Sequence, residues 1–61
     1  MPVVIVEMWQ GRTIEQKKQL AQGITREFVK IGVPEGQVHI IFKDNPKCNW
    51  ATGGKLASEE T

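Results

Sequence analysis

The sequence predicts a small α+β domain in which a β-α-β unit is followed by a short C-terminal hairpin. Three observations support this: an apolar β-branched run near the start, a long segment with helical periodicity, and a second apolar run of period two. We expect one domain over residues 1–61. Because a chain this short buries little apolar surface alone, we expect dimerisation to complete the sheet.

The first strand is predicted at "VVIVEMW", Val3 to Trp9, which is apolar on both alternating faces apart from Glu7. This pattern is typical of a parallel or interior strand that is covered on both sides. Gly11 interrupts the run. We therefore expect the strand to end before Gly11.

A helix is predicted to begin near Ile14, because Thr13 and Gln16 form a capping-box pattern. One face of the segment carries an apolar stripe, and its polar residues lie largely elsewhere. The stripe comprises Leu20, Ile24, Phe28 and Ile31, and the polar residues are Lys17, Lys18, Gln22, Arg26 and Lys30. Gly32 and Pro34 predict the end of the helix.

The second strand is predicted at "GQVHIIF", with Val38, Ile40 and Phe42 on one face and His39 and Ile41 on the other. A helix of roughly 18 residues spans about 27 Å, which is enough to return the chain for parallel pairing. The following "KDNPKCN" is predicted to be a polar turn region. The two glycines in "WATGGKL" then predict the tight turn of a short hairpin.

Composition and charge exclude several kinds of partner. Eight basic and seven acidic residues give a net charge of +1, so we expect neither nucleic acid nor an anionic membrane as a partner. No apolar run approaches the roughly 20 residues that span a bilayer, and no secretion signal is evident, so we expect a cytoplasmic protein. Cys48 lacks a partner for an internal disulfide, and Cys48 with His39 is too few ligands for structural zinc. Homo-oligomerisation remains as the source of stability.

Pro2 is the candidate catalytic residue. We expect removal of Met1, which leaves the prolyl nitrogen as a secondary amine. An α-amino group has a pKa of about 7.7–8.0, and apolar surroundings or a nearby cation such as Arg12 lower it toward neutrality. Such an amine is a competent general base at neutral pH. The alternative is that Met-Pro is simply a common start of a chain.

Three further side chains are candidate substrate-binding residues. Arg12 lies between the first strand and the helix, where a guanidinium and helix N-terminal amides both favour a carboxylate. His39 and Trp50 are the others. Each has an ordinary alternative: a solvated arginine at a turn, a hydrogen-bonded histidine in a strand, and a tryptophan that anchors an oligomer. Trp9 is most simply a core or interface residue, and Cys48 an inert thiol.

Together, the leading Pro2, the segment "GRTIEQKKQL", the second apolar strand and "WATGGKLAS" resemble the short-chain tautomerases typified by 4-oxalocrotonate tautomerase. The resemblance covers nearly the whole chain. It implies a β-α-β fold with a C-terminal hairpin, a hexamer built as a trimer of dimers, and no metal or organic cofactor. It also implies sites built across subunit boundaries, so that Arg12 and Trp50 serve a neighbour's Pro2.

The resemblance further implies that Pro2 acts as base and then as acid on a small unsaturated 2-hydroxy or 2-oxo acid. Arg12 would bind a substrate carboxylate, and Trp50 stands where the family has an aromatic residue that keeps the pocket apolar. His39 stands where the type enzyme has an arginine for the 2-oxo or 2-hydroxy end of the substrate. A neutral imidazole donates one hydrogen bond, whereas a guanidinium offers a charged fork.

Two alternatives stay open. A hydratase or dehalogenase of unsaturated acids needs a carboxylate to activate water, and Glu7 in the middle of the first strand is not obviously suited to this. A non-catalytic, oligomeric ligand-binding module of the same fold is the other, favoured by His39 and by any retention of Met1. If Met1 is retained, the Pro2 nitrogen is a tertiary amide without a basic lone pair.

Overall fold

The computed structural model describes residues 1–59 and has the predicted α+β architecture. Its regular elements are β1 (Val3–Trp9), α1 (Ile14–Lys30), β2 (His39–Asn45), β3 (Ala51–Thr52) and β4 (Lys55–Leu56). β1 and β2 pair in parallel, with Val3 opposite His39 and Trp9 opposite Asn45. β3 and β4 form the predicted hairpin. The β-α-β unit with a C-terminal hairpin is thus confirmed.

α1 begins where its cap predicts. The Gln16 N–H donates to Thr13 Oγ1 at 3.1 Å, and the Thr13 N–H donates to Gln16 Oε1 at 3.0 Å, so the capping box is complete. Gly32 follows the helix with a φ of 97°, a conformation that glycine adopts without a steric penalty. The chain therefore leaves the helix at the predicted glycine.

The predicted apolar stripe of α1 is right at its centre and wrong at both ends. Ile24 and Phe28 are half-buried, but Leu20 is 40% exposed and Ile31 is 75% exposed. Ile31 lies beyond the last helical residue, so the rotation of 100° per residue no longer fixes its direction. The covered face continues instead through Ala21 to Lys17, which was predicted to lie outside it.

The polar segment Lys43–Asn45, predicted to be part of a turn, instead completes β2. Its last two side chains have partners elsewhere in the fold. The Asp44 carboxylate accepts a hydrogen bond from Lys17 Nζ at 2.5 Å, and Asn45 Nδ2 donates to Glu7 Oε1 at 2.9 Å. Because these contacts join residues far apart in the chain, the alternation of apolar residues alone places the end of β2 too early.

The two faces of the sheet differ in exposure. Val4, Val6 and Met8 of β1 and Ile40 and Phe42 of β2 are half-buried on the face that α1 covers. The opposite face, which we call the open face, consists of Val3, Ile5, Glu7, His39, Ile41 and Lys43. Its apolar members are 46–53% exposed. The first strand was expected to be covered on both sides, and in a single chain only one side is covered.

The single chain is thin and extended. Its radius of gyration is 14.6 Å, against about 10–11 Å for a compact domain of this length. Its accessible surface is 4867 Å², against about 4,000 Å² for a compact monomer of this mass. Among residues 1–59 no side chain is fully buried. Within the same range, no helix has the length and apolar character needed to cross a bilayer.

Candidate active site

The four candidate site residues form two pairs at opposite ends of β1. Pro2 and His39 are neighbours at its start, where the His39 N–H donates to the Pro2 carbonyl at 3.0 Å. Arg12 and Trp50 lie near its end. The run from Pro2 to Trp9 covers about 23 Å at the usual rise of a strand. Pro2 and Arg12 of one chain are therefore too far apart to hold one small acid between them.

Arg12 is positioned by the tight connection between β1 and α1. It lies two residues before the helix begins and lines a cavity with Met8, Gln16, Lys17 and other residues of the first helical turns. Within residues 1–59 Arg12 takes part in no ion pair, whereas the neighbouring Lys17 is paired with an aspartate. The guanidinium therefore retains its charge and its donors for an anion.

Trp50 is held in place by the hairpin. Its carbonyl accepts a hydrogen bond from the Ala57 N–H at 2.7 Å, just beyond β4. Gly53 and Gly54 make the turn with φ of 61° and 83°, the pair of positive values that a type I′ turn requires. The hairpin therefore returns the chain to Trp50 and limits the positions that its indole can take.

Trp9 and Trp50 pack against each other, although nothing in the sequence pairs them. Their ring centroids are 5.7 Å apart with an interplanar angle of 75°, the edge-to-face arrangement that aromatic pairs favour. Trp9 is 44% exposed, so it is not a core residue of the single chain. The contact depends on where the end of β1 meets the hairpin, which a local pattern does not reveal.

Lys47 is a further charged residue at this end of the sheet. Its Nζ lies 5.0 Å from the centre of the Trp9 ring, within the range of a cation–π contact. It belongs to a short 3₁₀ turn, Lys47–Asn49, that follows β2. Sequence reasoning missed Lys47, because its surroundings in the sequence are those of an ordinary polar loop.

His39 is on the open face of the sheet. It lies opposite Val3 in the strand pairing and next to Ile41 on the same face. Its imidazole makes no hydrogen bond with another residue in the 1–59 range. The structure thus brings His39 close to Pro2 along the chain, but it leaves both ring nitrogens without a partner in this part of the protein.

Comparisons with known proteins give the family. The family model described as "Tautomerase enzyme" matches residues 2–60. A probable tautomerase of Streptococcus pneumoniae serotype 4 is 37% identical over 60 residues, covering 97% of this chain and 100% of the relative. A 2-hydroxymuconate tautomerase of Comamonas testosteroni is 38% identical over 60 residues, covering 97% of this chain and 95% of the relative.

The fold leads to the same family. The heterohexamer 4-oxalocrotonate tautomerase from Chloroflexus aurantiacus J-10-fl superposes with a TM-score of 0.90 at 29% sequence identity, and each chain is covered completely. The family match, the identity to its members and this superposition all extend over nearly the whole chain. The protein is therefore a member of the 4-oxalocrotonate tautomerase family.

Proposed function

We propose that the protein is a tautomerase that moves a proton within a small unsaturated 2-hydroxy or 2-oxo acid, with the Pro2 nitrogen as the proton carrier. The observation that carries the proposal is the family match, which begins at Pro2 itself. Removal of Met1 is a condition of the proposal, because an acylated prolyl nitrogen has neither a basic lone pair nor a proton to give.

The proposed reaction rearranges the substrate without adding or removing any atom. The Pro2 amine takes the proton of the 2-hydroxyl group, the electron pairs shift along the conjugated chain, and the hydroxyl oxygen becomes the 2-oxo oxygen. The protonated amine then gives its proton to a distant carbon of the same molecule. Substrate and product are isomers, so one group that serves as base and then as acid is sufficient.

The remaining roles follow from charge and position. Arg12 binds a substrate carboxylate, since its guanidinium has no carboxylate partner within residues 1–59. Trp50, half-buried under the hairpin, supplies an apolar wall. His39 donates one hydrogen bond to the 2-oxygen. The separation of Arg12 from Pro2 within a chain supports a site that combines Pro2 of one subunit with Arg12 and Trp50 of another.

We also propose a homohexamer built as a trimer of dimers. The extended shape, the large accessible surface and the apolar residues on the open face support association with further copies. The Chloroflexus aurantiacus relative is described as a heterohexamer, so assemblies of six chains occur on this fold.

The direct test replaces the proposed base. Pro2→Ala should lower kcat for the ketonisation of 2-hydroxymuconate, followed by ultraviolet absorbance, by about 100-fold or more, the range of a lost general base. Pro34→Ala is the matched control, since Pro34 lies in the loop after α1. Intact-mass analysis must first establish that each variant has lost Met1.

Equal rates in the wild type and Pro2→Ala would remove Pro2 from the mechanism. A second measurement blocks the nitrogen without changing the side chain: an uncleavable N-terminal extension converts it to an amide, and activity should disappear. The wild type and Pro2→Ala could both fail to ketonise 2-hydroxymuconate and phenylenolpyruvate while still binding unsaturated acids. In that case the non-catalytic binding module becomes the better account.

The hydratase or dehalogenase alternative has no comparable support. It requires a free carboxylate beside the substrate to activate water. Glu7 accepts a hydrogen bond from Asn45 Nδ2 at 2.9 Å and lies opposite Lys43 on the open face of the sheet. Its carboxylate is thus already engaged, and it lies five residues along β1 from Pro2.

A further inference from the structure

Two adjoining cavities near the end of β1 are lined by cations and aromatic rings and, among residues 1–59, by no acidic residue. Their volumes are about 450 and 310 Å³, which is within the range of small-molecule sites. The first is lined by Met8, Trp9, Gln10, Gly11, Arg12 and Lys47. The second is lined by Trp9, Lys47, Trp50, Thr52, Lys55 and Ala57. The joint surface is therefore suited to an anion.

Lys47 and Arg12 line the same cavity, and neither has an ion-pair partner among residues 1–59. Within residues 1–59 the ion pairs join Lys17 to Asp44 and Lys30 to Glu27, and neither involves Arg12 or Lys47. Two positive side chains on one cavity repel each other unless an anion lies between them. An anion bound in this cavity would be attracted by both side chains.

The Trp9 indole keeps Lys47 at the cavity. The ammonium group lies 5.0 Å from the ring centre, and the ring is itself packed edge to face against Trp50. A lysine on an open loop normally samples many rotamers, and a cation–π contact restricts them. Trp9 thus has two effects, since it positions the cation and offers a flat apolar surface beside it.

We propose that Lys47 is a second substrate-binding cation that holds the same carboxylate as Arg12 and so makes the site selective for planar conjugated dicarboxylates. This inference rests on the proposed function for the role of Arg12. A dicarboxylate places one charged group at the proton-transfer end and the other between Arg12 and Lys47. A monocarboxylate whose single carboxylate lies at the proton-transfer end leaves an apolar end between the two cations, so it gains nothing from Lys47.

Muconate and sorbate are matched probes of this claim. Both are six-carbon conjugated dienoates, but muconate has a carboxylate at each end and sorbate at one. Neither has an enol to ketonise, so calorimetric titration of the Met1-processed protein measures binding alone. We expect Lys47→Met to weaken muconate binding about tenfold and sorbate binding less than twofold. Lys47→Arg should keep the preference for muconate.

Two controls separate a local contact from general effects. Lys30→Met removes one positive charge at the far end of α1, and it should leave both affinities unchanged. The double variant Arg12→Ala with Lys47→Met should lose less affinity for muconate than the product of the two single fold-losses. The reason is that both residues are assigned to one carboxylate. Lys47→Gln replaces Lys47→Met if the methionine variant fails to assemble.

Several results would overturn the proposal. One is an equal loss of affinity for muconate and sorbate in Lys47→Met, and another is a loss in Lys30→Met as large as in Lys47→Met. A wild-type protein without preference for muconate would also overturn it. None of these bears on proton transfer, since neither probe reacts. Conversely, an unaltered rate in Pro2→Ala would refute the proposed base and leave the muconate preference measurable.

Discussion

At the scale of single residues, Arg12 and Lys17 show how surroundings decide what a cation can do. Both are positive and both lie near the end of β1. Lys17 donates to the Asp44 carboxylate, with both side chains partly shielded, so its charge is used within the fold. Arg12 is in no ion pair within residues 1–59 and faces two cavities. Of these two residues, Arg12 is the one whose charge is available to a ligand.

Replacing Arg12 should therefore impair substrate capture. We expect Arg12→Ala to lower kcat/KM for 2-hydroxymuconate by about 10- to 100-fold, mostly through KM, since a hydrogen bond to a charged group contributes about 1.5–3 kcal/mol. The effect on the monocarboxylate phenylenolpyruvate should be smaller. Steady-state kinetics with both substrates measures the difference.

Lys17→Ala is the matched control for this experiment. It removes a neighbouring cation whose charge is already compensated, so KM should change little even if the free energy of unfolding falls. Equal losses for the dicarboxylate and the monocarboxylate in Arg12→Ala would contradict the assignment of Arg12 to the second carboxylate.

The sequence locates these candidate residues but not their contacts. Arg12 is identifiable because it directly precedes a helix start that Thr13 and Gln16 mark. The packing of Trp9 on Trp50 and of Lys47 on Trp9 joins positions about 40 residues apart. Such contacts depend on the strand register and on where the hairpin packs against the end of β1, and a local pattern determines neither.

At the scale of elements, prediction succeeds where a local signal fixes the boundary. The capping box fixes the start of α1, and the paired glycines fix the β3–β4 turn. It fails where the determinant is tertiary, as at the end of β2, where Asp44 has a partner on α1 and Asn45 has a partner on β1. The prediction that the Ile31 side chain lies on the covered face was also wrong, because the helix ends before this residue.

The hairpin turn gives a test at this scale. Gly54 has a φ of 83°, and an added Cβ meets no atom within 4 Å, so the cost of alanine there is conformational. We expect Gly54→Ala to lower the free energy of unfolding by about 1–2 kcal/mol. Urea denaturation at a fixed protomer concentration measures this, because the stability of an oligomer depends on concentration.

Gly36→Ala is the control, because Gly36 has no positive φ and equally open surroundings. Its effect should be close to zero or slightly stabilising, since alanine restricts the unfolded chain more than glycine does. A loss of stability in Gly36→Ala equal to that in Gly54→Ala would show that the turn geometry is not responsible.

At the scale of the whole molecule, the open face of the sheet supports the proposed association with further copies of the chain. Val3, Ile5 and Ile41 are each about half exposed there, and no described side chain is fully buried. Covering this face and the edges of the two-stranded sheet would supply the core that one chain lacks. A site that combines Pro2 of one chain with Arg12 of another, as proposed above, also requires such an assembly.

Ile5→Glu should therefore prevent assembly, because it places a charge at the centre of the open face, where burial without a partner is costly. Analytical ultracentrifugation should find the wild type as a hexamer and Ile5→Glu as smaller species with a lower melting temperature. Ile14→Glu is the matched control: Ile14 is 83% exposed in the first turn of α1, where a glutamate is favourable. A hexameric Ile5→Glu, or dissociation in Ile14→Glu alone, would place the subunit interface elsewhere. If dissociation and loss of tautomerase activity occur together in Ile5→Glu but not in Ile14→Glu, activity depends on assembly, as a site shared between subunits requires.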